Sequence, residues 1–354
     1  MRHKGANRNE MQMNRTIKVA ATLTVAGALA LTGCGGDSEG ASGKTTLNIV
    51  GYSVLEQANK GVIAAFEKTD AGKDVSFKES YGASGDQSRA VVAGADADEV
   101  HLSLEPDVTR LVDEGLVAED WKDNDTKGIC TASVVVFVVK KGNPKGIDSW
   151  DDLVQSGVGI VTPNPASSGS AKWNLLAAYG AAKDEGGSDE AAQEYMTKLF
   201  GNVAALPDSG RDATTAFTSG TGDVLLSYEN EAILARQSGQ DFDYVIPDET
   251  LLIENPCALV DGAPKAAEDF LEFQKSEEGQ KLYAETGYRP LVDVSDLEVD
   301  GANDSGDPYP EPAKLLTIDG DFGGWADANG LYFGDGEGDN PLGILTQIQS
   351  EAGQ

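Results

Sequence analysis

The sequence predicts an α/β protein with two domains, and three observations support this prediction. The chain has 354 residues, which is enough for two domains of ordinary size, each with its own core. Apolar segments of strand length alternate with amphipathic segments of helix length, as they do in parallel α/β units. Residues 133–139 form a Val-rich run that ends at Lys140, which is typical of a strand buried on both faces.

The folded region is expected to begin near residue 46. A short apolar strand at 47–50 precedes a helix at 56–68, in which Val62, Ile63 and Phe66 share one face. Strands and helices then continue to alternate, with a strand at 75–77, a turn at 82–86 that leads into a helix at 87–93, a strand at 99–104 and a helix at 108–114.

The same alternation continues after the strand at 133–139. Helices are expected to start at Trp150 and to span 171–182, 190–200, 213–218, 266–275 and 278–285. Strands are expected at 159–161, 202–206, 223–228, 243–246 and 258–260. Residues 300–312 are rich in Gly, Asp and Pro and are predicted to form a loop.

The charge of the chain excludes some classes of partner. Lys and Arg number 27 and Asp and Glu 59, which gives a formal net charge of −32. So acidic a protein repels the phosphates of nucleic acids and of anionic membranes. We therefore expect no nucleic-acid partner, and contact with a membrane only through an anchor.

The first 33 residues have the pattern of a secretory signal. Five basic residues precede an apolar run at 19–31, which is too short to span a bilayer comfortably. The run ends in Leu31-Thr32-Gly33-Cys34, which resembles a bacterial lipobox, so that cleavage leaves a lipidated Cys34 at the N-terminus. The alternative is an ordinary signal peptide with a coincidental Cys. Residues 34–45 are expected to form a flexible tether.

Removal of residues 1–33 takes away five of the 27 basic residues and one of the 59 acidic residues, so 22 and 58 remain and the charge is −36. Two cysteines then remain besides Cys34. In an exported protein an even number suggests a disulfide, here between Cys130 and Cys257. Two Cys with a single His, His101, do not suffice for a structural zinc site, and we expect no metal or other cofactor.

No enzyme motif is complete. Gly43-Lys44-Thr45 lacks the first glycine of a phosphate-binding loop and precedes a strand. The segment 82–85 lacks the spacing of a hydrolase nucleophile elbow, and His101 lies in an apolar strand, where a structural role is expected. The acidic segment 335–339 lacks the full calcium-loop pattern. A catalytic role is therefore not predicted.

Three loops with Ser and Gly each precede a predicted helix. Backbone N–H groups at a helix start lack partners and lie at the positive end of the helix dipole, so they favour an anion. Glycine allows the ligand to approach closely, and Ser adds a hydroxyl donor. The alternative is three ordinary helix N-caps, because Ser is a preferred cap. The loops are Ser84-Gly85, Ser168-Gly169-Ser170 and Ser209-Gly210-Arg211.

Several motifs in this order resemble the sulfate-binding proteins of ABC importers. They lie at 82–91 (GASGDQSRAV), 139–145 (VKKGNPK), 161–165 (VTPNP), 168–174 (SGSAKWN), 222–232 (GDVLLSYENEA), 288–290 (YRP) and 322–325 (FGGW). The similarity covers roughly residues 46 to 349. It implies a two-lobed, type II periplasmic-binding-protein-like fold with an anion in the cleft between lobes. Lobe I is expected at 46–129 and 258–354, and lobe II at 130–257.

The resemblance also implies the ligand-binding residues. Ser84 supplies a backbone N–H, Ser168 a hydroxyl, and Gly169 and Ser170 further N–H groups. Gly210 supplies an N–H, with Arg211 as the alternative because the loop is one residue shorter than usual. Tyr228 stands at the strand end where the family usually has a Trp that donates its indole N–H. No Lys or Arg is expected to form an ion pair with the anion.

Three departures from the family pattern weaken the expectation of sulfate itself. Ser170 replaces a Gly, Asp212 places a carboxylate beside the anion loop, and the first loop, at 52–54, lacks the usual Asp-Pro-Thr-Arg. Thiosulfate, molybdate and phosphate stay open as ligands. The resemblance implies a monomeric receptor, anchored by lipid on the extracellular face of the membrane, that serves an ABC permease. A secreted hydrolase and an adhesive module are the alternatives from other classes.

Overall fold

The structure is a computed structural model that describes residues 44–354 except 337 and 339. The predicted signal peptide at 1–33, the lipidation site Cys34 and nearly all of the predicted tether lie outside the described residues. In the described part, no helix has both the length and the apolar character needed to cross a bilayer.

The first elements alternate as predicted. They are β1 (Thr45–Tyr52), α1 (Leu55–Phe66), β2 (Val75–Gly82), α2 (Ser84–Val92), β3 (Glu99–His101), α3 (Glu105–Asp113), β4 (Ile129–Lys140), α4 (Trp150–Leu153), β5 (Ile160–Val161), α5 (Gly169–Gly186) and α6 (Asp189–Gly201). The buried strand predicted at 133–139 is confirmed and is longer, because β4 is buried from Cys130 to Val139.

The later elements are β6 (Val203–Ala205), α7 (Gly210–Thr218), β7 (Val224–Tyr228), α8 (Glu229–Gln237), β8 (Phe242–Val245), β9 (Glu249–Leu259), α9 (Lys265–Lys275), α10 (Glu277–Glu285), β10 (Lys314–Leu316), α11 (Ile318–Asp321), α12 (Trp325–Phe333) and α13 (Ile344–Glu351). The long strand β9, the short strand β10 and helix α13 were not predicted as such.

The strands form one mixed sheet in the order β2-β1-β3-β9-β4-β7-β5-β6, with β10 beside β9 and β8 beside β4. β1 is parallel to β2 and β3, whereas β9 is antiparallel to β3 and β4, and β4 is antiparallel to β7. The two long strands β4 and β9 therefore connect a β1–β3 group to a β5–β8 group. The carboxyl ends of β3 and β7 both point to the middle of these long strands.

Helix starts explain most of the shifted boundaries. α2 begins at Ser84, so the predicted turn at 82–86 contains the first helical turn. β3 ends at His101 instead of residue 104, because its pairing with β9 ends there, and α3 begins at Glu105 with Pro106 in its first turn. Ser84 is consequently the first residue of α2, and Ser103 lies in the short connection between β3 and α3.

Helix α12 of the C-terminal tail packs against α5. The rings of Trp173 and Trp325 are 4.8 Å apart, and those of Tyr179 and Tyr332 are 4.9 Å apart, both edge to face. Trp173 and Tyr179 are fully buried. The tail thus covers a helix of the 130–257 segment, and the boundaries of the predicted lobes stay a prediction.

A disulfide joins Cys130 to Cys257, with Cα atoms 5.8 Å apart. Cys130 lies at the start of β4, and Cys257 lies near the end of β9. The bond therefore links the two long strands at the end where β3 joins the sheet.

Candidate functional site

Three helices begin near the point where β3 and β7 end. Ser84, Gly169 and Gly210 are the first residues of α2, α5 and α7. Short contacts connect these three helix starts to each other and to the strand ends. The positive ends of three helix dipoles and their unpaired N–H groups consequently lie close together.

The start of α2 is held by the side chain of Ser84. Its hydroxyl donates to Asp107 Oδ2 at 2.6 Å and accepts from the N–H of Ser103 at 2.9 Å. The helix N-cap is Ala83, which has no capping side chain. The hydroxyl of Ser84 is therefore structural, while its backbone N–H has no hydrogen-bond partner within the part of the chain that the structure describes.

The start of α5 has the features of an anion site. Ser168 is the N-cap, yet its hydroxyl makes no capping bond, although the residue is only 3% exposed. Gly169 follows at a place where a Cβ would lie 2.6 Å from Ser103 Oγ, so the position requires glycine. Ser170 is also buried. Across residues 44–354, as described, no partner is found for the N–H of Gly169 or Ser170.

The start of α7 adjoins that of α5. A Cβ on Gly210 would lie 3.3 Å from Ser170 Oγ and 3.2 Å from a methyl of Val54. Ser209 is an ordinary N-cap, whose hydroxyl accepts from the N–H of Asp212 at 3.1 Å. The alternative of three ordinary caps therefore holds for Ser209 and is wrong for Ser84 and Ser168.

The charged groups beside α7 are paired with each other. The guanidinium of Arg211 lies 3.0 Å from the buried carboxylate of Glu231. Burial raises the pKa of Glu231 above its usual value, and the positive charge of Arg211 offsets only part of this increase. The exposed carboxylate of Asp212 accepts from Ser209 Oγ at 2.6 Å. Arg211 can therefore contribute its backbone N–H to the site, while its guanidinium forms an ion pair with Glu231.

Tyr228 ends β7 and is 1% exposed. Its hydroxyl lies 2.7 Å from Ser103 Oγ. Burial raises the pKa of Tyr228 well above its usual value, so the phenol is neutral at pH 7 and carries a proton to donate. The predicted residues Ser84, Gly169 and Tyr228 all meet around Ser103.

Ser103 is the site residue that sequence reasoning missed. Its carbonyl accepts from Trp173 Nε1 at 2.8 Å and from Asn255 Nδ2 at 2.9 Å. Asn255 Oδ1 in turn accepts from the hydroxyl of Tyr52 at 2.9 Å. The sequence feature that could have indicated Ser103 is a Ser between two Leu, after a strand and before a helix.

The nearest basic side chains have other partners. Lys172 Nζ donates to Asn329 Oδ1 at 2.7 Å and lies 5.1 Å from the centre of the Phe333 ring. Arg89 pairs with Asp86, and Arg110 with Asp107. The groups that head the three helices are thus neutral N–H and O–H donors. Such a set suits an anion that only accepts hydrogen bonds.

The only His of the described residues has no catalytic setting. His101 is fully buried, its Nε2 lies 3.1 Å from Thr131 Oγ1, and burial lowers its pKa to about 3. Among the described residues, no cluster of His, Cys, Asp and Glu could hold a metal ion.

The chain is similar to known binding proteins. The family model described as bacterial extracellular solute-binding protein matches residues 47–289. A sulfate-binding protein of Synechococcus elongatus is 39% identical over 91% of this chain and 94% of its own length. A thiosulfate-binding protein of Pseudomonas aeruginosa is 34% identical over 85% of this chain and 91% of its own. The structure of the sulfate-binding protein SubI from Mycobacterium tuberculosis is 46% identical, with a TM-score of 0.75, and covers 80% of this chain and 98% of SubI.

Proposed function

Because the chain belongs to the sulfate-binding protein family of the bacterial extracellular solute-binding proteins, we propose that it captures sulfate and delivers it to an ABC importer. The fold is that of the type II periplasmic binding proteins. Its family is one of binding proteins and not of enzymes, so the hydrolase and adhesive-module alternatives are set aside.

One observation carries the proposal. The starts of α2, α5 and α7 meet with neutral donors and with no free acidic group among the predicted contacts. Each hydrogen bond to a charged group contributes about 1.5–3 kcal/mol, so six aligned donors can offset the desolvation of a dianion. The proposed donors are the N–H groups of Ser84, Gly169, Ser170 and Gly210 and the hydroxyls of Ser168 and Tyr228.

Neutral donors also reconcile the site with the acidity of the protein. A cluster of Lys and Arg would attract the anion but would also bind the many carboxylates around it. Helix N-termini act only within about one turn, so they favour an anion at the site and leave the surface acidic. We infer that affinity depends only modestly on salt.

Thiosulfate is the second candidate ligand. The match to the Pseudomonas thiosulfate-binding protein favours its inclusion. Molybdate and phosphate stay in the comparison, since both are tetrahedral oxyanions.

The proposed location is the extracellular face of the membrane, with a lipid on Cys34 as the anchor and the protein as a monomer. One acyl chain binds a membrane only marginally, so stable attachment takes two or more. Mass spectrometry of the N-terminus tests this: a modified Cys34 is expected, and an unmodified one within an intact or differently cleaved N-terminus contradicts it.

Calorimetry of the dialysed mature chain tests the ligand. Sulfate, thiosulfate, molybdate and phosphate are titrated in turn, at low and at physiological salt. Sulfate is expected to bind most tightly, with little change between the two salt concentrations. Tighter binding of another oxyanion reassigns the ligand, and binding of none of the four refutes the proposal.

A further inference from the structure

We propose that Ser167 is a positioning residue that joins the starts of α2, α5 and α7 and holds them around the anion. This inference rests on the proposed function, although Ser167 itself is not one of the proposed donors. It stands directly before Ser168 and is half-buried. Its carbonyl is bonded to α2, and its hydroxyl is bonded to the segment before α7.

The loop before α5 is held against the segment before α7. The N–H of Asn164 donates to the carbonyl of Pro207 at 2.8 Å, and the hydroxyl of Ser167 donates to the carbonyl of Asp208 at 2.8 Å. The N–H groups of Ser167 and Ser168 both donate to the carbonyl of Asn164, at 3.2 and 2.8 Å. The loop is therefore a compact turn, and the starts of α5 and α7 form one unit.

One backbone hydrogen bond connects this unit to α2 in the described part of the chain. The N–H of Gly85 donates to the carbonyl of Ser167 at 3.0 Å. Gly85 is the second residue of α2, so its N–H is one that the helix itself leaves without a partner. The guanidinium of Arg89 also lies 3.5 Å from the carbonyl of Ala166. Because α2 follows β2 and α5 follows β5, the Gly85–Ser167 bond connects the two groups of strands.

The contact leaves no room for a side chain on Gly85. A Cβ there would lie 2.9 Å from the carbonyl oxygen of Ser167, so α2 and the loop reach hydrogen-bond distance only with glycine at this position. The neighbours in sequence are proposed donors, since Ser84 precedes Gly85 and Ser168 follows Ser167. The Gly85–Ser167 bond therefore sets the distance between a donor of α2 and a donor of α5.

This distance matters because the anion is contacted from both groups of strands at once. Hydrogen bonds weaken as the donor moves away from the acceptor, so a shift of one helix start weakens several of them together. The Gly85–Ser167 bond forms when the two groups of strands come together around the anion. A change that blocks this bond should consequently weaken ligand binding and leave the ligand-free fold intact.

Calorimetry with sulfate and thermal unfolding of the ligand-free chain test the inference. Gly85→Ala places a methyl group against the carbonyl of Ser167. The matched control is Gly61→Ala in α1, where a Cβ would meet no atom within 4 Å. Neither glycine has a positive φ, so Ala is compatible with the backbone at both positions.

Gly85→Ala should raise the dissociation constant for sulfate about five-fold or more, because the added methyl group overpacks the contact. It should not lower the unfolding temperature of the ligand-free chain. Gly61→Ala should leave both the dissociation constant and the fold as they are in the parent.

The hydroxyl of Ser167 is tested separately. Ser167→Ala should raise the dissociation constant about three-fold, the effect of one neutral hydrogen bond. Ser167→Thr keeps a hydroxyl and should restore the parental affinity, which a loss of packing alone would not predict. The control is Ser76→Ala, which removes a half-buried hydroxyl that contacts Thr46 and should bind as the parent does.

Parental affinity in Gly85→Ala overturns the inference, and so does a loss of affinity that Gly61→Ala shares. If Gly85→Ala does not fold, the Ser167 variants decide: parental affinity in Ser167→Ala, or no rescue in Ser167→Thr, overturns it. A parent chain that binds sulfate while these results fail refutes this inference only. A parent chain that binds no oxyanion refutes the proposed function and this inference with it.

Discussion

The same substitution at two N-cap serines should affect different properties: at one serine it should weaken ligand binding, and at the other it should lower the stability of the fold. Ser168 precedes α5 and Ser188 precedes α6. The hydroxyl of Ser188 accepts from the N–H of Ala191 at 3.2 Å, as a cap does, whereas the hydroxyl of Ser168 makes no capping bond. The hydroxyl of Ser188 thus stabilises α6, whereas the hydroxyl of Ser168 is available to a ligand.

The size of each effect follows from these contacts. Ser168→Ala removes one hydrogen bond to a charged ligand, worth about 1.5–3 kcal/mol, so the dissociation constant for sulfate should rise about ten-fold or more. The unfolding temperature of the ligand-free protein should hardly change. Ser188→Ala removes a cap, which costs about 1 kcal/mol of stability and should leave the affinity unchanged.

Calorimetry with sulfate and thermal unfolding of the ligand-free variants measure the two effects separately. Each substitution serves as the control for the other, because the residue type, the helix position and the change are the same. If Ser168→Ala keeps its affinity and loses as much stability as Ser188→Ala, then Ser168 is an ordinary cap and the assignment of its hydroxyl to the site is wrong.

Three further predictions concern the backbone, the disulfide and a buried acid. Gly169→Ala should reduce sulfate binding more than Ser168→Ala does, as measured by calorimetry, because its Cβ would lie 2.6 Å from Ser103 Oγ; unchanged affinity contradicts the close approach. Replacing Cys130 and Cys257 with Ala should lower the free energy of unfolding by about 2–4 kcal/mol in denaturant titrations, since the bond closes a loop across a sequence separation of 127; equal stability argues against the bond. Burial raises the pKa of Glu99 to about 8, well above its usual value near 4.5. Between these two pH values the folded state keeps a proton that the unfolded state loses, so the free energy of unfolding should fall as the pH rises. Glu99→Gln should remove that part of the decline in pH-dependent unfolding, and a parallel decline in both proteins refutes the assignment.

The sequence predicted those parts of the fold that carry a local pattern. The apolar run at 133–139 identified β4 because both of its faces are buried. The first part of β9 was not predicted, because it carries Glu249, Glu254 and Asn255 among apolar residues. It is a strand because it pairs with β4. Strand pairing between distant segments leaves no local periodicity, and this also accounts for β10.

The site was predictable to a similar extent. Helix starts with Ser and Gly, together with the resemblance to a family, indicated Ser84, Gly169 and Gly210 as neighbours of an anion. The role of Ser103 depends on the meeting of the ends of β3 and β7, which belong to segments 125 residues apart. Only the folded chain brings Ser103 to Tyr228, so no motif could identify that pair.

The bridge between Cys130 and Cys257 also accounts for much of the sulfur that the protein contains. The chain has three Cys and four Met, and three of the four Met lie within residues 1–33. If that segment is removed, Met196 and the three Cys remain, which leaves four sulfur atoms in the mature protein. Val, Leu and Ala fill core positions where Met is often found. Two of those four sulfur atoms, one half, therefore form the covalent link between the two long strands.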